Sequence, residues 1–124
     1  MIAAAHTIIY AEDAERARAF FRDVLDFPSI DSGDGWLLFE LPPGELALHP
    51  APEAASGRHE LFLMCHDINA TVAELERKGV EFSTPVSDEG WGLLTRLRIP
   101  GGGEVGVYGP RHQSPLAEFS PDAA

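Results

Sequence analysis

This chain is short of positive charge, of cysteine and of long apolar runs. Its 124 residues carry 9 Lys and Arg against 20 Asp and Glu, a formal net charge of −11. Nucleic acid and anionic membrane surfaces reward clustered basic residues, so neither is expected as a partner. One cysteine, Cys65, excludes an internal disulfide, and between Met64 and His66 it reads as a small buried hydrophobe. No apolar stretch approaches the roughly 20 residues of a membrane-spanning helix. Residues 1–10 lack the basic start and apolar run of a signal peptide, and a cytoplasmic protein is expected. There is no phosphate-binding loop either: Pro100-Gly101-Gly102-Gly103 is short and lacks a following Lys. No Ser/His/Asp nucleophile constellation stands out.

What is present is an internal echo. His6-Thr7-Ile8-Ile9-Tyr10 leads to Asp13, and His59-Glu60-Leu61-Phe62-Leu63 leads to Asp67. Asp34-Gly35-Trp36 is matched by Glu89-Gly90-Trp91. The offsets are 53, 54 and 55, and near-constant spacing of this kind indicates a duplication. Each half reads β-α-β-β-β. In the first, a strand at 5–10 precedes a helix capped by Asp13, with Ala17, Phe20, Phe21 and Val24 on one stripe. Pro28 forces its exit, a weak strand follows at 29–31, and strands at 36–41 and 45–49 flank the Pro42-Pro43-Gly44 turn. In the second, a strand at 59–65 precedes a helix capped by Asp67 or Asn69 and stopped at Gly79. Strands at 80–85, 92–99 and 104–108 follow, the last two joined through the glycine turn. The expectation is an α+β fold, a single domain over 1–110. Its two modules span about 4–50 and 59–110, with a linker at 50–57 and a loose tail at 111–124.

Those residues resemble the vicinal oxygen chelate superfamily, which includes glyoxalase I, bleomycin-resistance proteins, fosfomycin-resistance enzymes and extradiol dioxygenases. The resemblance rests on His6-Thr7, Asp13, the Ala-Phe-Phe-Arg-Asp-Val-Leu run of 19–25, and His59 with its Asp67 helix, and covers roughly residues 4–110. It implies two modules forming an open curved sheet around a ligand cavity, and a homodimer. It also implies a divalent metal, Zn, Ni, Fe or Mn, held by ligands on the first and last strands of the modules. His6 and His59 match the first pair. The carboxylate expected on each last strand falls on Ala47 and Gly106, which donate nothing.

Strand alternation offers other lining residues. His49 shares a face with Ala47, and Tyr108 with Gly106. A metal set of His6, His59 and His49 is one reading, with Glu45 or Glu104 joining only if a bulge shifts the register. Polar lining of a pocket is the other. Trp36 and Trp91 either sandwich a planar group or pack at the sheet edge. Arg96 and Arg98 face away from the helix layer, toward a ligand's carboxylate or phosphate or toward the chain's own carboxylates. Glu40 reads as exposed or ion-paired, and His66 and Arg111-His112 are left out of the site.

The expected ligand-binding residues are therefore His6, Trp36, His49, His59, Trp91 and Tyr108. The expected function is binding of a small molecule, sequestering a bulky or cationic compound such as an antibiotic. The alternative is a metal-dependent lyase, isomerase or dioxygenase that uses His6 and His59 as ligands.

Overall fold

The structure, a computed structural model, describes Met1 and residues 3–119. Helix α1 (Ala14–Asp23) starts where Asp13 Oδ1 accepts the Arg16 backbone N–H at 3.1 Å. It buries Ala17, Phe20 and Phe21 and ends just before Asp26, which takes a left-handed φ of 58° two residues ahead of Pro28. Strands β1 (Ser29–Asp31) and β2 (Leu37–Phe39) form an antiparallel pair. Helix α2 (Ile68–Arg77) repeats the first start, with Asp67 Oδ1 accepting from Ala70 N at 3.1 Å. Of the two expected caps, Asp67 is the one used, and Gly79 (φ 86°) ends the helix.

The second module is complete. Strands β3 (Phe62–Met64), β4 (Phe82–Asp88), β5 (Gly92–Arg98) and β6 (Glu104–Pro110) form one sheet in the order β3-β6-β5-β4. Only β3 and β6 run parallel, because α2 carries the chain across between β3 and the antiparallel remainder. Leu97, Ile99, Val105 and Val107 point to one face and join Ile68 of α2 and Phe20 and Phe21 of α1 in a single buried cluster. Both helices thus cover the same side of this sheet. The α+β architecture and its open sheet agree with the expectation.

The first module differs. Residues 5–10 and 45–49 were expected as strands, yet neither is paired into a sheet. No backbone hydrogen bond joins residues 3–10 or 41–49 to another described residue. The prolines at 42, 43 and 50 remove donors around the second segment. Both segments leave large apolar side chains in solvent: Tyr10 is 89% exposed, Leu46 85% and Leu48 87%.

The repeat is visible in local geometry. Asp31 Oδ1 accepts from Gly33 N, and Asp88 Oδ1 from Gly90 N. Gly35 (φ 83°) and Gly90 (φ 81°) then deliver Trp36 and Trp91. These turns need glycine because a side chain is strained at that φ. Beyond β6, a short 3-10 turn covers Ala117–Phe119, and the expected loose tail returns to the domain at several points described below. Residues 120–124 of that tail lie outside the described residues.

Candidate functional site

The side of the β3-β6-β5-β4 sheet turned away from the helices carries Phe62 and Met64 from β3, Gly106 and Tyr108 from β6, and Leu94 and Arg96 from β5. Registry aligns Phe62, Gly106 and Arg96 across three strands, and Met64, Tyr108 and Leu94 across the next row. Alternation places these rows opposite the buried 95/97 and 105/107 positions.

Tyr108 is the centre of a polar cluster. Its hydroxyl lies 3.2 Å from Glu45 Oε1 and 3.1 Å from His112 Nε2. The Ser114 hydroxyl donates to Glu45 Oε2 at 2.6 Å and itself accepts the Leu116 N–H. His112 Nε2 is 3.6 Å from Glu45 Oε1. Because a carbonyl oxygen only accepts, the 2.7 Å contact from His112 Nδ1 to the Gln113 carbonyl assigns that nitrogen a proton. Glu45 is the one residue of 41–50 that is not exposed, its side chain retaining 17% of its surface. Removal of the phenol from water, followed by the adjacent Glu45 charge and hydrogen bond, pushes the Tyr108 pKa up to about 12.

Aromatic walls stand around this cluster. Trp91 meets Tyr108 edge-on at 5.2 Å between ring centroids, and Phe62 meets it edge-on at 6.0 Å. The segment after β6 is pinned next to Trp91: Arg111 N donates to the Trp91 carbonyl, and Arg111 Nη1 bonds Asp88 at 2.7 Å. That guanidinium bond, with the Gly90 N–H, holds the Asp88 carboxyl below its usual range. Farther along, Phe119 stacks on His66 at 4.5 Å, and Glu118 lies 3.1 Å from His66 Nε2. Cys65 lies behind the site, its thiol directed at the Tyr108 carbonyl and its pKa raised by burial. The sequence suggested a small buried hydrophobe, and Cys65 is half-buried.

Of the six expected ligand-binding residues, Tyr108 and Trp91 come together here. Trp36 lies elsewhere, 60% exposed beneath the Arg18 guanidinium at 4.5 Å, and no ring contact joins it to Trp91 among the described residues. His6, His49 and His59 are exposed, precede or miss the sheet, and make no hydrogen bond or ion pair with a described residue. Glu45 and His112 were not assigned to the site from sequence. Glu45 had a parity signal that depended on a strand which does not form. His112 had none, since it follows the last strand and is brought back only by tertiary contacts.

The same geometry tests the divalent metal that the resemblance implies. Among the described residues no three His, Cys, Asp or Glu side chains converge as a donor set. At Gly106 the space a Cβ would take is filled by the Phe62 ring, and the Arg96 guanidinium lies 5.5 Å above that ring. A cation and a hydrocarbon ring there do not suit a divalent ion. The described side chains do not fit the metal.

Two open clefts lie elsewhere, one of about 390 Å³ between α2 and β4 and one of about 800 Å³ beside the glycine turn. Neither includes Tyr108, Trp91 or Glu45.

Comparison with known proteins gives one family. The family model described as Glyoxalase/Bleomycin resistance protein/Dioxygenase superfamily matches residues 3–107. No curated protein sequence matches the chain at a significant level. Among solved structures, the chain is similar to a lactoylglutathione lyase from Agrobacterium tumefaciens at 20% identity and a TM-score of 0.62, covering 86% of this chain and 92% of that one. A member of the same superfamily from Sphaerobacter thermophilus aligns at 23% identity and a TM-score of 0.60, covering 87% and 98%. TnmS3, an antibiotic binding protein from a Streptomyces species, aligns at 21% identity and a TM-score of 0.52, covering 89% and 99%. At these identities the likeness is one of fold.

Proposed function

The chain belongs to the glyoxalase/bleomycin resistance protein/dioxygenase superfamily, and from that premise we propose that it binds and sequesters a small molecule with a planar, bulky body, an antibiotic-like compound being the best fit. The carrying observation is the Tyr108 cluster: a half-buried carboxylate, a phenol, an imidazole and two aromatic walls on an open sheet face. Trp91 and Tyr108 supply apolar contact with fixed edges. Glu45 supplies a carboxylate whose partners hold it in place, and it suits a hydrogen-bond donor or cation on the ligand. The net charge of −11 favours approach of a cationic compound at long range. The antibiotic binding protein TnmS3, which shares the fold, is in keeping with this reading.

The working form under this proposal is a homodimer in a cytoplasmic setting. Its support is the uncovered apolar surface on the unpaired 3–10 and 45–49 segments. Each such side chain left in water forgoes about 1.5–3 kcal/mol of burial, so a second copy that pairs those segments has a large driving force.

The test is a fluorescence titration of the purified protein with planar aromatic antibiotics, followed by recovery of the compound. Saturable quenching that disappears in Trp91→Phe, with the compound recovered unchanged, is the expected result. Conversion of the compound at a rate above the protein-free control overturns sequestration.

A further inference from the structure

We propose that the same sheet face also recognises an oxyanion, a carboxylate or a phosphate, through Arg96, so that a ligand whose donor or cationic group meets Glu45 carries an acidic group at its other end; this rests on the small-molecule reading above and specifies the chemistry of the ligand.

The chain has nine Lys and Arg residues in an acidic background. Arg22, Arg58, Lys78 and Arg111 pair with Asp23, Glu60, Asp26 and Asp88. Arg96 does not pair with a described residue, although the chain carries 20 carboxylates and the residue is half-buried. Among the described residues its side chain makes neither an ion pair nor a hydrogen bond. Its alternative sequence reading, neutralisation by the protein's own carboxylates, is therefore not what the structure contains.

The position is built by three strands. Arg96, Gly106 and Phe62 are direct registry partners across β5, β6 and β3. Gly106 has no side chain, so the Phe62 ring lies over it and the Arg96 guanidinium reaches 5.5 Å from the ring centroid. The ring supports the cation from one side by its quadrupole without satisfying any of the five N–H donors. A guanidinium partly removed from water with its fork open matches a planar carboxylate or a phosphate in two parallel bonds. One row along the same face stand Tyr108 and, beside it, Trp91, about 7 Å away at two residues of strand rise. That spacing suits an aromatic body between the walls with its acidic substituent on Arg96.

The probes are 2-naphthoate, its neutral isostere 2-naphthamide, and 2-naphthyl phosphate, titrated by calorimetry into the intact protein. Expected is binding of naphthoate about tenfold or more tighter than naphthamide, from one charge-assisted fork. Arg96→Gln then lowers naphthoate to the naphthamide level and leaves naphthamide unchanged, and Arg96→Lys falls between them. The naphthyl phosphate arm shows which oxyanion is preferred. Equal binding of naphthoate and naphthamide overturns the oxyanion site and leaves the aromatic pocket standing. Absence of binding by all three at millimolar concentration overturns both. Arg96→Gln that alters the oligomeric state but not naphthoate affinity makes Arg96 an interface residue and also overturns the proposal. The wild-type comparison of charged and neutral probes stands if a variant fails to fold.

Discussion

Tyr108 and Glu45, 63 residues apart, meet at 3.2 Å between the phenol oxygen and Oε1, and this contact ties the unpaired half of the molecule to the completed sheet. A phenol donating to a carboxylate in a dry setting resists ionisation, since the phenolate would face a like charge.

The alkaline behaviour follows. The folded-state pKa of Tyr108 is raised from 10.0 to about 12, so the neutral form is favoured by folding. Its contribution to stability is complete below pH 10 and is lost as pH rises toward 12. The phenolate absorbance that differs between wild type and Tyr108→Phe should appear near pH 12 rather than pH 10. Glu45→Gln should bring that midpoint down. A midpoint at 10 in the wild type would show that the phenol is not enclosed by this contact.

Gly106→Ala should destabilise the protein by about 1–3 kcal/mol, the usual cost of overpacking. The new methyl group meets the Phe62 ring, against which the Arg96 guanidinium also lies. Urea melts should report a lower midpoint at unchanged slope. In a Phe62→Leu background the penalty should shrink, because the obstacle is that ring.

The two tryptophans should separate. Trp91→Ala should weaken binding of a planar aromatic ligand by about 1–3 kcal/mol, as removal of an aromatic anchor does. Trp36→Ala should change affinity far less, since its ring rests under Arg18 away from Tyr108. Calorimetry with 2-naphthoate measures both, and equal losses would return Trp36 to the site.

Light scattering should find a dimer at micromolar concentration. Leu46→Lys together with Leu48→Lys should shift it toward monomer, because both side chains stand almost fully in solvent in a single chain. A wild-type protein that remains one chain in mass as concentration rises would rule out the dimer.

Added Zn or Ni should leave the Tm where it is under chelator, and His6→Ala and His59→Ala should not alter that. An ion held only by the folded state, at a hundred times its Kd, would instead add about 2.7 kcal/mol of stability. A metal-dependent rise in Tm abolished by either histidine change would restore the metal site.

The order of residues alone determined the duplication, the α+β class, both helices with their Asp13 and Asp67 caps, and the four strands of the second module. Each of these depends on local chemistry: cap hydrogen bonds three residues away, apolar spacing of one element, glycine at a positive φ. It also placed Arg96 and Leu97 on opposite faces and Tyr108 on the face of Gly106, because strand alternation is local too. Only the tertiary structure decided the rest. Whether 5–10 and 45–49 become strands depends on a partner edge, which no residue in those segments encodes. Whether Arg96 finds a carboxylate depends on what lies across the sheet. The joining of Glu45 to His112 and Ser114 depends on the path of the chain after β6, which brings together residues 67 and 69 positions apart, beyond the reach of any periodicity or spacing rule.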